Sequence, residues 1–153
     1  MRTDITHLNL GCGTNKLPAP WKNFDYDMDI TKPLPIASGT VEKILIEHCL
    51  EHVSGPKGFR FLQEAYRVLK PGGVIRVCVP ELERLDKESA IDIIVNHGHE
   101  VVFDFKVMSQ LMYCAGFEKD KIVQTGRDPI DGHWTVIGVE KDDRETLRVE
   151  ATK

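Results

Sequence analysis

Apolar positions along this chain recur with two different periods, and the switching between them predicts an α/β domain. The run His7-Leu8-Asn9-Leu10 ends in Gly11-Cys12-Gly13, which predicts a first strand leading into a sharp turn where the backbone can approach a ligand. Pro18 and Pro20 then interrupt Lys16 to Trp21, so no regular helix can start there. Asn23-Phe24-Asp25-Tyr26-Asp27-Met28-Asp29-Ile30 alternates polar and apolar side chains and predicts a short second strand running into a loop. Val41 to Ile46 is apolar and rich in β-branched residues, as a buried strand is.

The period then lengthens. Ser54 is placed to cap a helix with Pro56 in its first turn, and Phe59, Leu62, Ala65, Tyr66 and Leu69 mark one face. Pro71-Gly72-Gly73 stops that helix, and Val74 to Val79 reads as the next strand up to Pro80, completing a βαβ unit. Glu88 to Val95 predicts a short helix and His97-Gly98-His99 a loop. Asp104 is positioned to cap a further helix with Phe105, Met108, Leu111, Met112 and Ala115 inward and Gly116 as its stop. Lys121 to Thr125 and His133 to Glu140 predict a closing hairpin with turn residues 127–132. The tail Arg144 to Glu150 alternates like an edge strand, but its charges suggest that it frays.

Length adds one constraint: 153 residues suit one core, so residues 1–153 are expected to form a single domain. The net charge of -4 gives no support to a nucleic-acid partner. No apolar run approaches the ~18 residues that span a membrane, and the polar start is unlike a signal peptide, so a cytoplasmic protein is expected. Cys12, Cys49, Cys78 and Cys114 are far apart, without CxxC spacing, and read as reduced thiols with no zinc site.

In chain order, LNLGCG, W-x-N-x-D, an acid-containing stretch before PLP, IEHCLEHV and YRVLKPGG followed by VPEL resemble the class I S-adenosylmethionine-dependent methyltransferases. The resemblance runs from about residue 7 to residue 140 and is closest to a compact subgroup of predicted methyltransferases. It implies a Rossmann-like three-layer α/β fold, mostly parallel with a C-terminal antiparallel hairpin, and S-adenosylmethionine as cofactor. By the same resemblance Gly11, Cys12 and Gly13 border the methionine end of the cofactor, and Asn9 lies in the strand leading there. Asp25 would accept both ribose hydroxyls. Asp29 with Ile30 would sit beside the adenine, with Asp27 the competing acid. Glu47 and His48 would face cofactor and acceptor, His48 serving as general base where the acceptor must lose a proton.

The departures matter as much. A third glycine is missing from the loop, where Lys16 stands instead, which disfavours a dinucleotide oxidoreductase. Only a few residues separate Asp25 from Asp29, too few for a crossover helix and strand, so the sheet should be reduced on the flank of its first three strands. An apolar sheet face left uncovered there would be unfavourable by about 25 cal/mol per Å² of area that could be buried. Either Trp21, Phe24 and Tyr26 fold over it or a second copy does, as a homodimer. His48 and His52 stand four apart with Glu47 and Glu51 beside them, a helical metal-ligand spacing, but no third ligand is evident and no metal is expected. Methyl transfer to a small-molecule or macromolecular acceptor therefore leads, and a degenerate methyltransferase-fold module acting as a scaffold is the alternative.

Overall fold

The structure is a computed structural model and describes residues 2–126 and 146–153. Among the described residues, six strands form one sheet: β1 (His7–Leu10), β2 (Trp21–Phe24), β3 (Val41–Glu47), β4 (Leu69–Pro80), β5 (Ile122–Gln124) and β6 (Thr146–Thr152). Their order is β2-β1-β3-β4-β6-β5. The first four are mutually parallel, while β6 runs antiparallel to both β4 and β5. Three α-helices among the described residues accompany them: α1 (Gly55–Val68), α2 (Lys87–Val95) and α3 (Phe105–Ala115).

The register explains the core. Leu10, Ile46, Val77 and Val149 are neighbours across four strands, and successive side chains on a strand face opposite ways. That row, with Leu8, Ile44 and Ile75, meets Phe61, Leu62, Ala65 and Val68 of α1 and Met108, Met112 and Ala115 of α3 in one buried cluster. The α3 cap is as expected, with the Asp104 carboxylate accepting from Val107 N at 2.6 Å. Asp86 does the same for α2 through Ser89 N at 2.7 Å. Ser54 precedes α1 without a side-chain capping bond. At the other end of α1, Lys153 Nζ donates to the carbonyls of Tyr66 and Leu69 at 2.7 and 2.8 Å.

The opposite row is Asn9, Leu45, Arg76 and Glu150. It corrects the expectation of a bare apolar face: three of its four members are polar, so little hydrophobic free energy is left to drive a cover. Leu17 and Trp21 pack there against Leu45 and Cys78, and Phe24 is buried in the main core. Tyr26 remains 98% exposed.

The second strand is short and runs into a turn as expected, while two other expectations change. The second strand stops at Phe24, because the next residues spend their backbone bonds in a turn, Met28 N donating to Asp25 O at 3.2 Å. The helix-stopping Pro71-Gly72-Gly73 lies inside β4, where Gly72 N donates to Lys153 O at 2.7 Å and Lys153 N to Gly73 O at 2.9 Å. The charged tail is not a frayed edge: β6 sits between β4 and β5 and is buried from Thr146 to Ala151. Its charges are satisfied internally, with Arg76 Nη1 donating to Glu150 Oε1 at 3.3 Å and Arg148 Nη1 to Thr146 O at 3.3 Å. The strand expected over His133 to Glu140, with its turn, falls outside the described residues. β1 passes directly to β2 without a helix, and among the described residues no strand lies beyond β2. No helix among them is long and apolar enough to cross a membrane.

Candidate functional site

The chain leaves β1 for β2 on one side and later returns to β3 on the other. Such a reversal opens a crevice at the carboxyl ends of the strands, where open α/β sheets bind ligands. Gly11 and Gly13, Asp25, and His48 follow the ends of β1, β2 and β3 respectively.

Gly11 has φ +64°, and a Cβ built there would stand 2.8 Å from both Cβ and Sγ of Cys49. The loop therefore lies directly on the turn that follows β3. Gly13 has φ +49° with nothing within 4 Å of its would-be Cβ, leaving open space beside the backbone. Asn9 is buried and braces this loop: its amide donates to Asn15 O at 2.9 Å and Asn23 Oδ1 at 2.8 Å. Asn23 in turn donates to Leu17 O and accepts from Leu17 N, both at 2.8 Å. Two asparagine side chains thus hold the turn in place of the absent helix.

The three aspartates separate by what their carboxylates already do. Asp27 Oδ1 accepts from Asp25 N at 2.9 Å. Asp29 Oδ1 accepts from Thr31 N at 2.9 Å and Thr31 Oγ1 at 2.7 Å, and Lys32 Nζ lies 3.2 Å from Oδ2. These bonds, the Thr31 hydroxyl first, hold the Asp29 carboxyl down at about 2. No donor among the described residues reaches the Asp25 carboxylate. Its charge is felt at the crevice, where burial first and Asp25 next raise the Cys12 thiol. Burial, then Glu51 and Asp25, push Cys49 up to about 11. Ile30 is packed in the main core with Met28 and Leu34.

His48 has φ +45° and is the one non-glycine residue with positive φ among those described. Histidine tolerates this region better than most residues, and the conformation is pinned by His48 N donating to Cys78 O at 2.9 Å. It turns the ring outward from the end of β3, with 48% of the side chain exposed. Nδ1 lies 3.4 Å from Oε1 of Glu51, a carboxylate only 1% exposed. Glu47, the last residue of β3, is half-buried beside it.

The sequence offers Glu51 only as a carboxylate beside the His48–His52 spacing and does not single out Cys49, Tyr26 or His99 for this region. The LEH spacing was a signal for Glu51. His99, in a separate loop, offered none. Its ring meets that of His52 edge-on with centroids 4.5 Å apart, and burial lowers its pKa below the ordinary value against the opposing pull of Glu51.

Residues 3–77 match the family model described as a methyltransferase domain. No curated protein matches the chain in sequence. Among solved structures, a SAM-dependent methyltransferase from Thermotoga maritima is similar at TM-score 0.62 and 19% identity, over 97% of this chain and 82% of that one. A SAM-dependent methyltransferase from Archaeoglobus fulgidus aligns at TM-score 0.66 and 14% identity, over 99% and 88%. The Haemonchus contortus phosphoethanolamine N-methyltransferase 2, solved with S-adenosylhomocysteine, aligns at 0.67 and 13% over the whole of this chain and 49% of its own.

Proposed function

We infer that this chain, a methyltransferase-family protein by its domain match and its class I fold, transfers the methyl group of S-adenosylmethionine to an acceptor at the carboxyl edge of β1 and β3. The observation that carries the reading is the uncommitted Asp25 carboxylate beside a glycine turn with open space at Gly13. The Gly11-Cys12-Gly13 backbone would border the methionine end, with Asn9 acting through the loop it braces. Asp25 would accept the ribose hydroxyls. Tyr26, exposed directly after Asp25, would offer a flat face to the adenine, with Asp29 and Ile30 or the competing Asp27 beside it.

When bound, the cofactor would supply a sulfonium-activated methyl group as electrophile for an acceptor lone pair. The protein's share is alignment and proton handling. His48, held outward with Nδ1 against Glu51, presents Nε2 to take a proton from an acceptor that must lose one. The acceptor is a small molecule or a macromolecule. Four free cysteines suit a reducing, cytoplasmic setting, and self-association through the β2 edge would give a homodimer, read by sedimentation velocity.

The test is calorimetric titration with S-adenosylhomocysteine. Saturable binding that Asp25→Ala weakens, in a folded variant, supports the reading. The second reading, a scaffold module on a degenerate methyltransferase fold, is favoured by the direct passage from β1 to β2 without a helix. Folded wild-type protein that binds neither S-adenosylmethionine nor S-adenosylhomocysteine would establish it.

A further inference from the structure

The turn after β3 and the loop after α2 are fastened together by backbone. Glu100 N and Val101 N both donate to Glu51 O, at 2.8 and 3.2 Å. His99 is thereby held against the Glu51-His52 pair, and one ligand-capable atom from each of the three lies within 4.8 Å of the others. Glu51 is almost wholly buried, yet neither carboxylate oxygen accepts a hydrogen bond, and His99 Nδ1 is buried without one as well. His48 Nδ1 stands 3.4 Å from Glu51 Oε1.

Lone pairs therefore converge in a place where burial makes an unanswered acceptor costly. A cation answers all three at once. We propose that Glu51, His52 and His99 form a binding site for a divalent transition metal of the zinc type. Two imidazoles and one carboxylate suit a borderline ion such as zinc, cobalt or nickel, whereas magnesium and calcium prefer oxygen alone. His52 Nδ1 faces Gly98 O at 3.4 Å. Donation from that nitrogen leaves Nε2 as the lone-pair atom, the way a backbone carbonyl orients a ligating histidine. Zinc bonds of about 2.1 Å in a tetrahedron set ligands about 3.4 Å apart, so the three side chains close by about an ångström. Three protein ligands leave a coordination position for water or another heteroatom. His48, one carboxylate away, would join this site to the crevice.

The experiment uses untagged, chelator-treated protein. Zinc and magnesium chlorides are titrated calorimetrically, and cobalt(II) is followed by its ligand-field bands. Zinc should bind one per chain, and at least ~100-fold tighter than magnesium. His99→Ala and Glu51→Gln should each weaken zinc by more than the roughly 10–100-fold that loss of an outer-shell partner costs and should abolish the cobalt bands. His97→Ala, whose ring pairs with Asp92 at 3.2 Å, should change neither. If Glu51→Gln does not fold, His52→Ala replaces it. Folded wild type that takes up no zinc, or binding that survives loss of His99 and of a second ligand, overturns the proposal. Neither cofactor nor acceptor is present in the titration, so its outcome is separate from that of the methyl-transfer reading.

Discussion

Replacing Gly11 by alanine tests the link between the glycine turn and the turn after β3. At φ +64° an alanine sits in the left-handed region, which costs roughly 1–2 kcal/mol. Its Cβ would also stand 2.8 Å from two atoms of Cys49, an overlap of the kind that costs about 1–3 kcal/mol in packed surroundings. Gly11→Ala should therefore lose about 2–5 kcal/mol, or roughly 5–20 °C in Tm for a domain of this size. Gly13→Ala has the strained φ without the contact, so it should lose only the first part, about 1–2 kcal/mol. Urea unfolding followed by circular dichroism measures both. A cycle with Cys49→Gly isolates the contact: the double variant should regain roughly 1–3 kcal/mol relative to additivity. If Gly11→Ala costs no more than Gly13→Ala and the cycle shows no coupling, the two turns do not touch as described.

Asp25→Ala should weaken S-adenosylhomocysteine binding by about 1–3 kcal/mol, the worth of a charged hydrogen-bond acceptor, while Asp29→Ala should leave it nearly unchanged because Asp29 bonds within its own turn; calorimetry compares them. Carboxyl-detected NMR should find Asp29 titrating at about 2 against an ordinary 3.8. Because the folded value is the lower, its stabilising contribution is full above the ordinary value and is lost as pH falls through about 2. Thr31→Ala should raise that midpoint, and an unshifted wild-type value would refute the turn geometry. Arg76→Ala removes a buried guanidinium from Glu150 and should destabilise by roughly 3–5 kcal/mol, measured as a fall in the urea midpoint.

The parallel half of the sheet was legible because its signals are local. Leu8 and Leu10 before the glycines, the run from Val41, and the run from Val74 each carry their periodicity within a few residues. Asp104 likewise caps the helix that begins immediately after it. Among the site residues, the positions of Gly11, Gly13, Asp25 and His48 at strand ends followed once the strands were located. What each aspartate carboxylate already bonds did not, since Asp25, Asp27 and Asp29 look alike in sequence. They separate only when Thr31 and Lys32 are seen to occupy Asp29, and the Asp25 backbone to occupy Asp27.

The misread tail shows a different physical limit. Arg148 and Glu150 looked solvent-facing because an isolated charge is expensive to bury. Arg76, whose sequence neighbours are β-branched and apolar, supplies the partner, 74 residues away from Glu150. Burial of such groups is decided by pairs, and pairs across a sheet follow strand order, which periodicity cannot reveal. The same reasoning governs the Glu51-His52-His99 cluster. Spacing alone proposed His48 and His52 as a helical pair, but the positive φ at His48 takes it off any helix and turns its Nδ1 toward Glu51. The third member arrives through the backbone bonds of residues 100 and 101 to Glu51 O. Those bonds belong to the chain's path and not to its side chains, so no residue pattern near His99 could have announced it.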